Sequence, residues 1–489
     1  MNEIFINLSQ KDQELINKFM ENLNKKISLT RKETKEFQND FVKMINFYLS
    51  KGKKIDEILE ILSLDNLGNC YKEKPTNWYP LDNGAKIYPL SMKEDWMSVY
   101  RVSIYLKEEV VPEVLQMALN FTMKRFPTFR TSIRKGFFWN YIDGIKKRFS
   151  IKLDQELPCS HINVSNARRQ SFKIIYYDKR ISLEVFHVLT DGTGASIFLA
   201  TLVGEYLKLL GASFSYNETV LDINEKPTKE EIIDEFKGKK EESKTKGLIE
   251  RKALSVDGKL SKIKPCQLLH FDFSLKEIKE FAKLKGATLT EIILTFIFIS
   301  LSYSTSKEGI LKIQVPVNMR KFYKSKTLRN FSLYTSINIE RKSIKDFDEV
   351  LKEVQKQMQE KTSKESLTGM MRYANRLVNS IKFIPLFIKK PIANFIYGSL
   401  SDKSSTTVLS NLGKINVPYS EYINKMDFLL GTTISNKVLF TMISANDILT
   451  LSISKFTTNT SIENNLFNLF KQNNLNVKVY GSEVYENRK

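Results

Sequence analysis

His187 is the residue in this chain best placed to do chemistry. It follows Ile181, Leu183 and Val185, an alternation that predicts a strand buried on at least one face, with Phe186 beside them. Asp191 and Gly192 come next, and from Thr193 the period changes: Ile197, Phe198, Leu202, Tyr206 and Leu210 recur at helical spacing, with Gly211 at a helix stop. The order strand, histidine, short loop, helix holds an imidazole rigidly while leaving one ring nitrogen open. A neutral imidazole, with a pKa near ~6.5, can take a proton from a weak nucleophile as that nucleophile attacks. No GxSxG elbow is present to suggest a covalent serine intermediate. His161 and His270 have no comparable setting and read as structural. The histidines and the three dispersed cysteines (Cys70, Cys159, Cys266) show no metal-ligand spacing, so no metal site is expected, and a reducing cytoplasm is the expected compartment. The start, MNEIFINLSQKDQEL, has no export-signal architecture.

The elements that would position this histidine can be read on both sides of it. Met97 to Leu106 alternates as a strand, Val111 to Arg125 has helical spacing, and Pro127 stops that helix before an extended stretch, Phe129 to Ile133. Ser171 to Tyr177 and Arg180 to Phe186 predict a hairpin turning at Asp178-Lys179 and leading into His187. Trp78 to Ser91, with Pro80, Asn83-Gly84 and Pro89, reads as turns with aromatic anchors and not as a helix. The aromatic cluster Phe137 to Tyr141 reads as core or as the lining of a pocket. Residues 1–70 read as three short helices, an appendage that packs on the main body or meets a partner.

Residues 216–266 are dense in Lys and Glu and read as a solvated crossover, mobile in part. Beyond it, Gln267 to Phe273, Ile313 to Asn318, Phe331 to Ile339, Lys437 to Ser444 and Ile448 to Lys455 predict strands. Leu275 to Lys285, Ile344 to Lys361 and Ile462 to Gln472 predict helices. The apolar run Ala287 to Tyr303 is interrupted by Thr288, Thr290, Glu291 and Thr295, and reads as a buried helix before a membrane span. Ile381 to Leu400, broken by prolines and paired lysines, reads as an internal helix pair or as a segment lying on a membrane surface.

His187-Val188-Leu189-Thr190-Asp191-Gly192 resembles the HxxxDG signature of the acyltransferase superfamily with the chloramphenicol acetyltransferase fold. That group includes nonribosomal-peptide condensation domains, plant BAHD acyltransferases, wax-ester synthases and alcohol acetyltransferases. Further stretches fall in the family's order. Phe126-Pro127-Thr128-Phe129-Arg130 resembles the turn after its first helix, Pro316-Val317-Asn318-Met319-Arg320 its P-V-N/D-x-R element, and Ser410-Asn411-Leu412-Gly413 its S-N-x-G strand end. WYPLDNGAKIYPLS is similar to the opening of bacterial alcohol-acetyltransferase-like proteins. The likeness covers about Trp78 to Val479. It implies an α/β fold of two lobes with mixed sheets, a pseudo-dimer with a central tunnel, beside the N-terminal helical bundle. The first lobe would span 76–215 and the second 267–489.

The resemblance also implies roles. His187 would be the general base in transfer of an acyl group from a thioester, acyl-coenzyme A or an acyl-carrier protein, to a hydroxyl or amine. Asp191 would turn from the ring and pair with Arg320, or cap the helix that follows, or both. Gly192 would keep the channel or the backbone clear. Ser410 and Asn411 would donate to a developing oxyanion, or else form a turn that ends a strand. Two departures favour a freestanding acyltransferase over a peptide-synthetase step: Phe186 stands where condensation domains carry a second histidine, and no carrier or adenylation domain accompanies the chain. The DFGWG motif of the plant enzymes is absent too. The alternatives are a carrier-protein-dependent condensing enzyme and a non-catalytic binding scaffold of the same fold.

Formal net charge is +21, which attracts anionic partners such as nucleic acid, anionic lipid or a nucleotide-bearing co-substrate. Nothing resembles a nucleic-acid recognition element, so no nucleic-acid partner is expected, and the dispersed lysines also fit a plain solvated surface. The expected partners are a small-molecule acyl donor and acceptor, with no bound cofactor, for a monomeric chain.

Overall fold

The computed structural model describes residues 8–75, 78–92, 97–164, 168–237, 252–392, 405–432 and 436–482. Two large apolar cores organise them, each built on a sheet with helices packed over it. In the first sheet the strands run in the order Ile423–Leu430, Val99–Leu106, Arg180–Phe186, Phe172–Tyr177, Ile151–Leu153. Neighbours are antiparallel except the last pair, which is parallel. Helices Pro112–Thr122 and Gly192–Leu209 cover this lobe. Asp178 takes a positive φ of 49° at the tip of the hairpin that leads to the histidine. The register pairs Val99 with Phe186, so the sheet ends there and His187 is the first residue beyond it, its N–H donating to the Ser98 carbonyl at 2.9 Å.

The second sheet runs Ser332–Glu340, Ile310–Asn318, Thr407–Lys414, Val438–Ala445, Ile448–Lys455, Gln267–Ser274, Val477–Gly481. Thr407–Lys414 lies parallel to both its neighbours and the remaining pairs are antiparallel. Helix Leu289–Tyr303 starts at a reciprocal Thr288–Glu291 cap and is buried from Ile292 to Ser302. No single helix among the described residues is long and apolar enough to cross a membrane. The pair Leu275–Leu284 and Leu289–Tyr303 passes on length and composition alone, bent by 83°, and its apolar member fills the second core. Strand Ile423–Leu430, from far along the chain, adds to the edge of the first sheet, with Leu430 opposite Tyr100. This exchange laces the two lobes together.

Several local readings are corrected by tertiary context. A short helix, Ile87–Ser91, forms inside the stretch read as turns. Pro89 is tolerated there because the N–H it lacks falls in the first turn, where donors have no intrahelical partner. The Phe137–Tyr141 cluster is not core: Phe137 and Phe138 are exposed and meet Leu386 and Phe383 at the surface, and Phe137 and Asn140 line a groove there that is separate from the cavity at His187. The stretch before 238 packs closely, with Phe236 buried and Arg125 bidentate to Glu231 at 2.6 and 2.8 Å. Residues 238–251 of the charged crossover and 393–400 of the proline–lysine segment lie outside the described residues. The N-terminal helices Gln10–Lys26, Arg31–Ser50 and Ile55–Ile61 share the first lobe's core. Phe41 meets Phe121, the Tyr48 hydroxyl donates to the Leu209 carbonyl at 2.6 Å, and Asp40 accepts from both Asn120 and Arg148.

Candidate active site

The loop between His187 and the next helix belongs to the first lobe but is held by the second. Asp191 is the N-cap of Gly192–Leu209, its Oδ1 accepting from the Gly194 N–H at 3.2 Å. Its Oδ2 accepts from Arg320 Nη1 and from the Phe331 N–H, each at 2.8 Å. Cap and ion pair therefore coexist on one carboxylate. The pairing with Arg320 is through a single guanidinium nitrogen and not a bidentate fork, because the other donors are spent on the Thr327 and Arg329 carbonyls. Thr190 Oγ1 donates to the Leu328 carbonyl, and Asn318 Nδ2 to Thr193 Oγ1 at 3.0 Å. These contacts form a clasp between the HxxxDG loop and the segment from Asn318 to Phe331. None of them touches the imidazole.

Two glycines make the clasp fit. A Cβ on Gly192 would lie 2.3 Å from Leu412 Cδ2, a side chain reaching over from the second lobe's Thr407–Lys414. On Gly194 it would lie 2.3 Å from the Leu328 carbonyl oxygen and 2.1 Å from Thr190 Oγ1, with main chain that cannot swing away. Gly192 thus makes room for a neighbouring wall residue, and the stricter requirement sits at Gly194, which motif reading passed over.

The ring of His187 has a defined environment. Tyr88, on the short helix, stacks on it with centroids 4.6 Å apart and planes at 24°, while Tyr100 meets it edge-on at 5.0 Å. Nδ1 lies 2.9 Å from Asn330 Oδ1. The orientation of that amide follows from its other end, where Nδ2 donates to Asp82 Oδ2 at 3.3 Å. An ionised carboxylate only accepts, so Asn330 must turn its oxygen to the ring, and Nδ1 must carry the proton. The lone pair is then on Nε2, with no hydrogen-bond partner among the described residues. Burial pushes the His187 imidazole below its ordinary value, outweighing the nearby Asp191 charge and the bond to Asn330, which act in the opposite direction. Fully buried Asp82 is pushed up to about 6 by burial, with the Arg329 guanidinium opposing the rise. At neutral pH the ring is therefore uncharged while Asp82 is ionised.

His187, Asp191, Gly192, Ser410 and Asn411 line one cavity of about 410 Å³ between the lobes, and Arg320 stands behind it. Tyr88, Tyr100, Tyr334, Gln314 and Lys321 complete much of its wall. Ser410 is buried at the cavity face of its strand, and its hydroxyl has no hydrogen-bond partner among the described residues. Asn411 is more committed. Its Nδ2 donates to Thr290 Oγ1 at 2.9 Å and its Oδ1 accepts from the Gly413 N–H at 2.7 Å, which shapes the strand end and leaves one amide proton. Sequence reading missed Tyr88, Asp82 and Asn330. Asn330 carried no signal, and Tyr88 and Asp82 lay in a stretch read as turns with aromatic anchors, which assigned neither of them a place beside the histidine.

No family model matches the sequence. No curated protein matches it either. Solved structures do match its fold. A Fusarium sporotrichioides protein, the TRI3 trichothecene 15-O-acetyltransferase, superposes with a TM-score of 0.53 at 11% identity over 81% of this chain and 94% of its own. TRI101 of the same fungus, solved with coenzyme A and T-2, gives 0.53 at 12% identity over 83% of this chain and 100% of its own. The first condensation domain of the CDA synthetase gives 0.52 at 11% identity over 81% and 94%. At such identities the likeness is one of fold. The chain has the two-lobed α/β architecture of these three structures.

Proposed function

We propose that this protein is an acyltransferase that moves an acyl group from a thioester to a hydroxyl or amine, with His187 as general base. One observation carries the reading: the His187 ring lines a cavity between two lobes with its Nδ1 held 2.9 Å from Asn330 Oδ1, an arrangement that leaves Nε2 to face the cavity as the basic nitrogen. Nε2 would accept the proton of the acceptor as its oxygen or nitrogen attacks the thioester carbonyl. The carbonyl oxygen gains charge in the tetrahedral intermediate, where the Ser410 hydroxyl and the remaining Asn411 N–H are the candidate donors. Collapse breaks the carbon–sulfur bond, and the imidazolium returns its proton to the departing thiolate. Asp191 and Arg320 act on the loop that presents the ring and not on the ring itself.

Acyl-coenzyme A is the favoured donor, since TRI101 was solved with coenzyme A, the net charge here is +21, and Lys321 brings a cation to the cavity wall. The test is release of free thiol from acetyl- and longer acyl-coenzyme A against a panel of alcohols and amines. Wild type should release thiol in an acceptor-dependent way and His187→Ala should not. Equal rates from both proteins would overturn the base assignment, and silence with every donor, carrier-bound ones included, would overturn the enzymatic reading.

A further inference from the structure

On the surface, well away from the clasp, two segments distant in sequence build one apolar face. The first is the turn 134–139. The second is 372–392, made of the end of helix Lys364–Ser380 and the helical residues 386–392. The Leu386 N–H donates to the Phe137 carbonyl at 2.8 Å, and Phe138 and Phe383 meet with ring centroids 6.2 Å apart. Lys389 is buried beneath them, its Nζ donating to the Phe138 carbonyl at 2.8 Å and lying over the Trp139 ring at 3.4 Å. The face is thus braced from inside, yet its large side chains point outward: Phe137 is 68% exposed, Phe383 73% and Phe387 72%, with Leu377 and Ile392 about half exposed. Apolar side chains this large, grouped together and left in water, mark a surface that meets something.

The charge around them says what. From Arg372 to Ile392 the chain has five basic residues and no acidic one, and Arg134 and Lys135 add to them from the turn. Lys135, Arg376, Lys382 and Lys390 are exposed. Asp143 lies 3.7 Å from Arg134. Protruding aromatic and aliphatic side chains ringed by long cationic ones fit the boundary of a bilayer, where the rings enter the acyl region and the cations reach the phosphates. We propose that this face docks the protein on a bilayer containing anionic phospholipid. Docking does not depend on the acyltransfer reading. It does place a lipid surface one short helix from the cavity, because Ile87–Ser91 carries Tyr88 against His187 and Pro89 and Leu90 against an apolar groove lined by Ile133, Phe137 and Leu386.

The test is co-sedimentation of the full chain with vesicles of phosphatidylcholine alone or mixed with phosphatidylglycerol. Wild type should pellet with the mixed vesicles and only weakly with phosphatidylcholine, and less as salt is raised. Phe383→Ser with Phe387→Ser, and separately Lys382→Glu with Lys390→Glu, should each lower the partition constant about tenfold or more. Melting temperature and thiol release from soluble substrates should not change in either double variant. No pelleting of wild type overturns the proposal, as does saturable binding to an acidic protein without vesicle binding. Loss in the lysine variant alone, with full binding by the phenylalanine variant, shows diffuse attraction of a basic protein and also overturns it.

Discussion

Two imidazoles, His187 and His270, sit in similar surroundings in different lobes. Each has Nδ1 against one polar side chain, Asn330 Oδ1 at 2.9 Å for the first and Ser452 Oγ at 2.8 Å for the second. Each stacks on a tyrosine, Tyr88 at 4.6 Å and Tyr480 at 4.9 Å. Burial pushes both below the ordinary value, against a carboxylate that pulls upward, Asp191 in one case and Asp427 in the other. The differences are access and the certainty of the tautomer. His270 lies within strand Gln267–Ser274, flanked by two paired strands, and Ser452 can donate or accept. His187 lies just past the end of its strand, on a cavity, and Asn330 is pinned by Asp82. A depressed pKa and an aromatic partner are thus signs of burial; an open cavity and a fixed proton are signs of a base.

Removing each ring in turn separates the two histidines most strongly. His187→Ala should lower thiol release by about 10²–10⁴-fold, the range of general-base catalysis. His270→Ala should keep turnover within about threefold, although both variants delete a buried hydrogen-bonding group and should each lose about 1–3 kcal/mol of stability in urea titration. An inactive but fully stable His270→Ala protein would erase the distinction.

Next in size is the clasp. Asp191→Asn keeps an oxygen for the cap but strands the Arg320 guanidinium without its counter-charge, and breaking such a buried pair costs about 3 kcal/mol. Turnover should fall about 10²-fold with it, because the loop that presents the ring loses its shape. Gly194→Ala should act in the same direction through the Leu328 carbonyl. Loss of activity in Asp191→Asn with unchanged urea midpoint would mean that the carboxylate acts on the ring after all.

The clasp also shows how far sequence reading reaches. The strand-to-helix switch at His187 and the Asp191–Gly192 pair were legible because period and motif are local. Phe172–Tyr177, Arg180–Phe186 and Leu289–Tyr303 came out within a residue or two for the same reason. What could not be read was which distant segment completes each contact. Strand Ile423–Leu430 gives no hint that it joins the first sheet, since its pairing with Val99–Leu106 depends on closure of a long loop between lobes. Asn330 lies between Arg329 and Phe331 without motif or periodicity, and becomes a partner of His187 only when Asp82, 248 positions away, fixes its amide. Aromatic density at Phe137–Tyr141 fits core and pocket alike; Phe137 and Phe138 turn out to face solvent, and the groove that Phe137 lines is completed by Leu386 and Phe387 from a distant stretch of chain.

The smallest effects test the tautomer itself. The wild-type rate should rise with pH and level off, with its inflection below ~6.5, because burial favours the uncharged ring that the proposed base requires. Folding responds with the same sign: His187 is depressed in the folded state, so its contribution is complete above the unfolded value and is lost as pH falls through that value toward the folded one. Asn330→Ala removes a hydrogen bond that favours the charged ring, so the inflection should move lower still. Its plateau should drop about tenfold, because a ring free to carry its proton on either nitrogen presents Nε2 as a base for only part of the time. A purely structural Asn330 would lower stability and leave the inflection in place, so movement of that inflection is what assigns it to the positioning of His187.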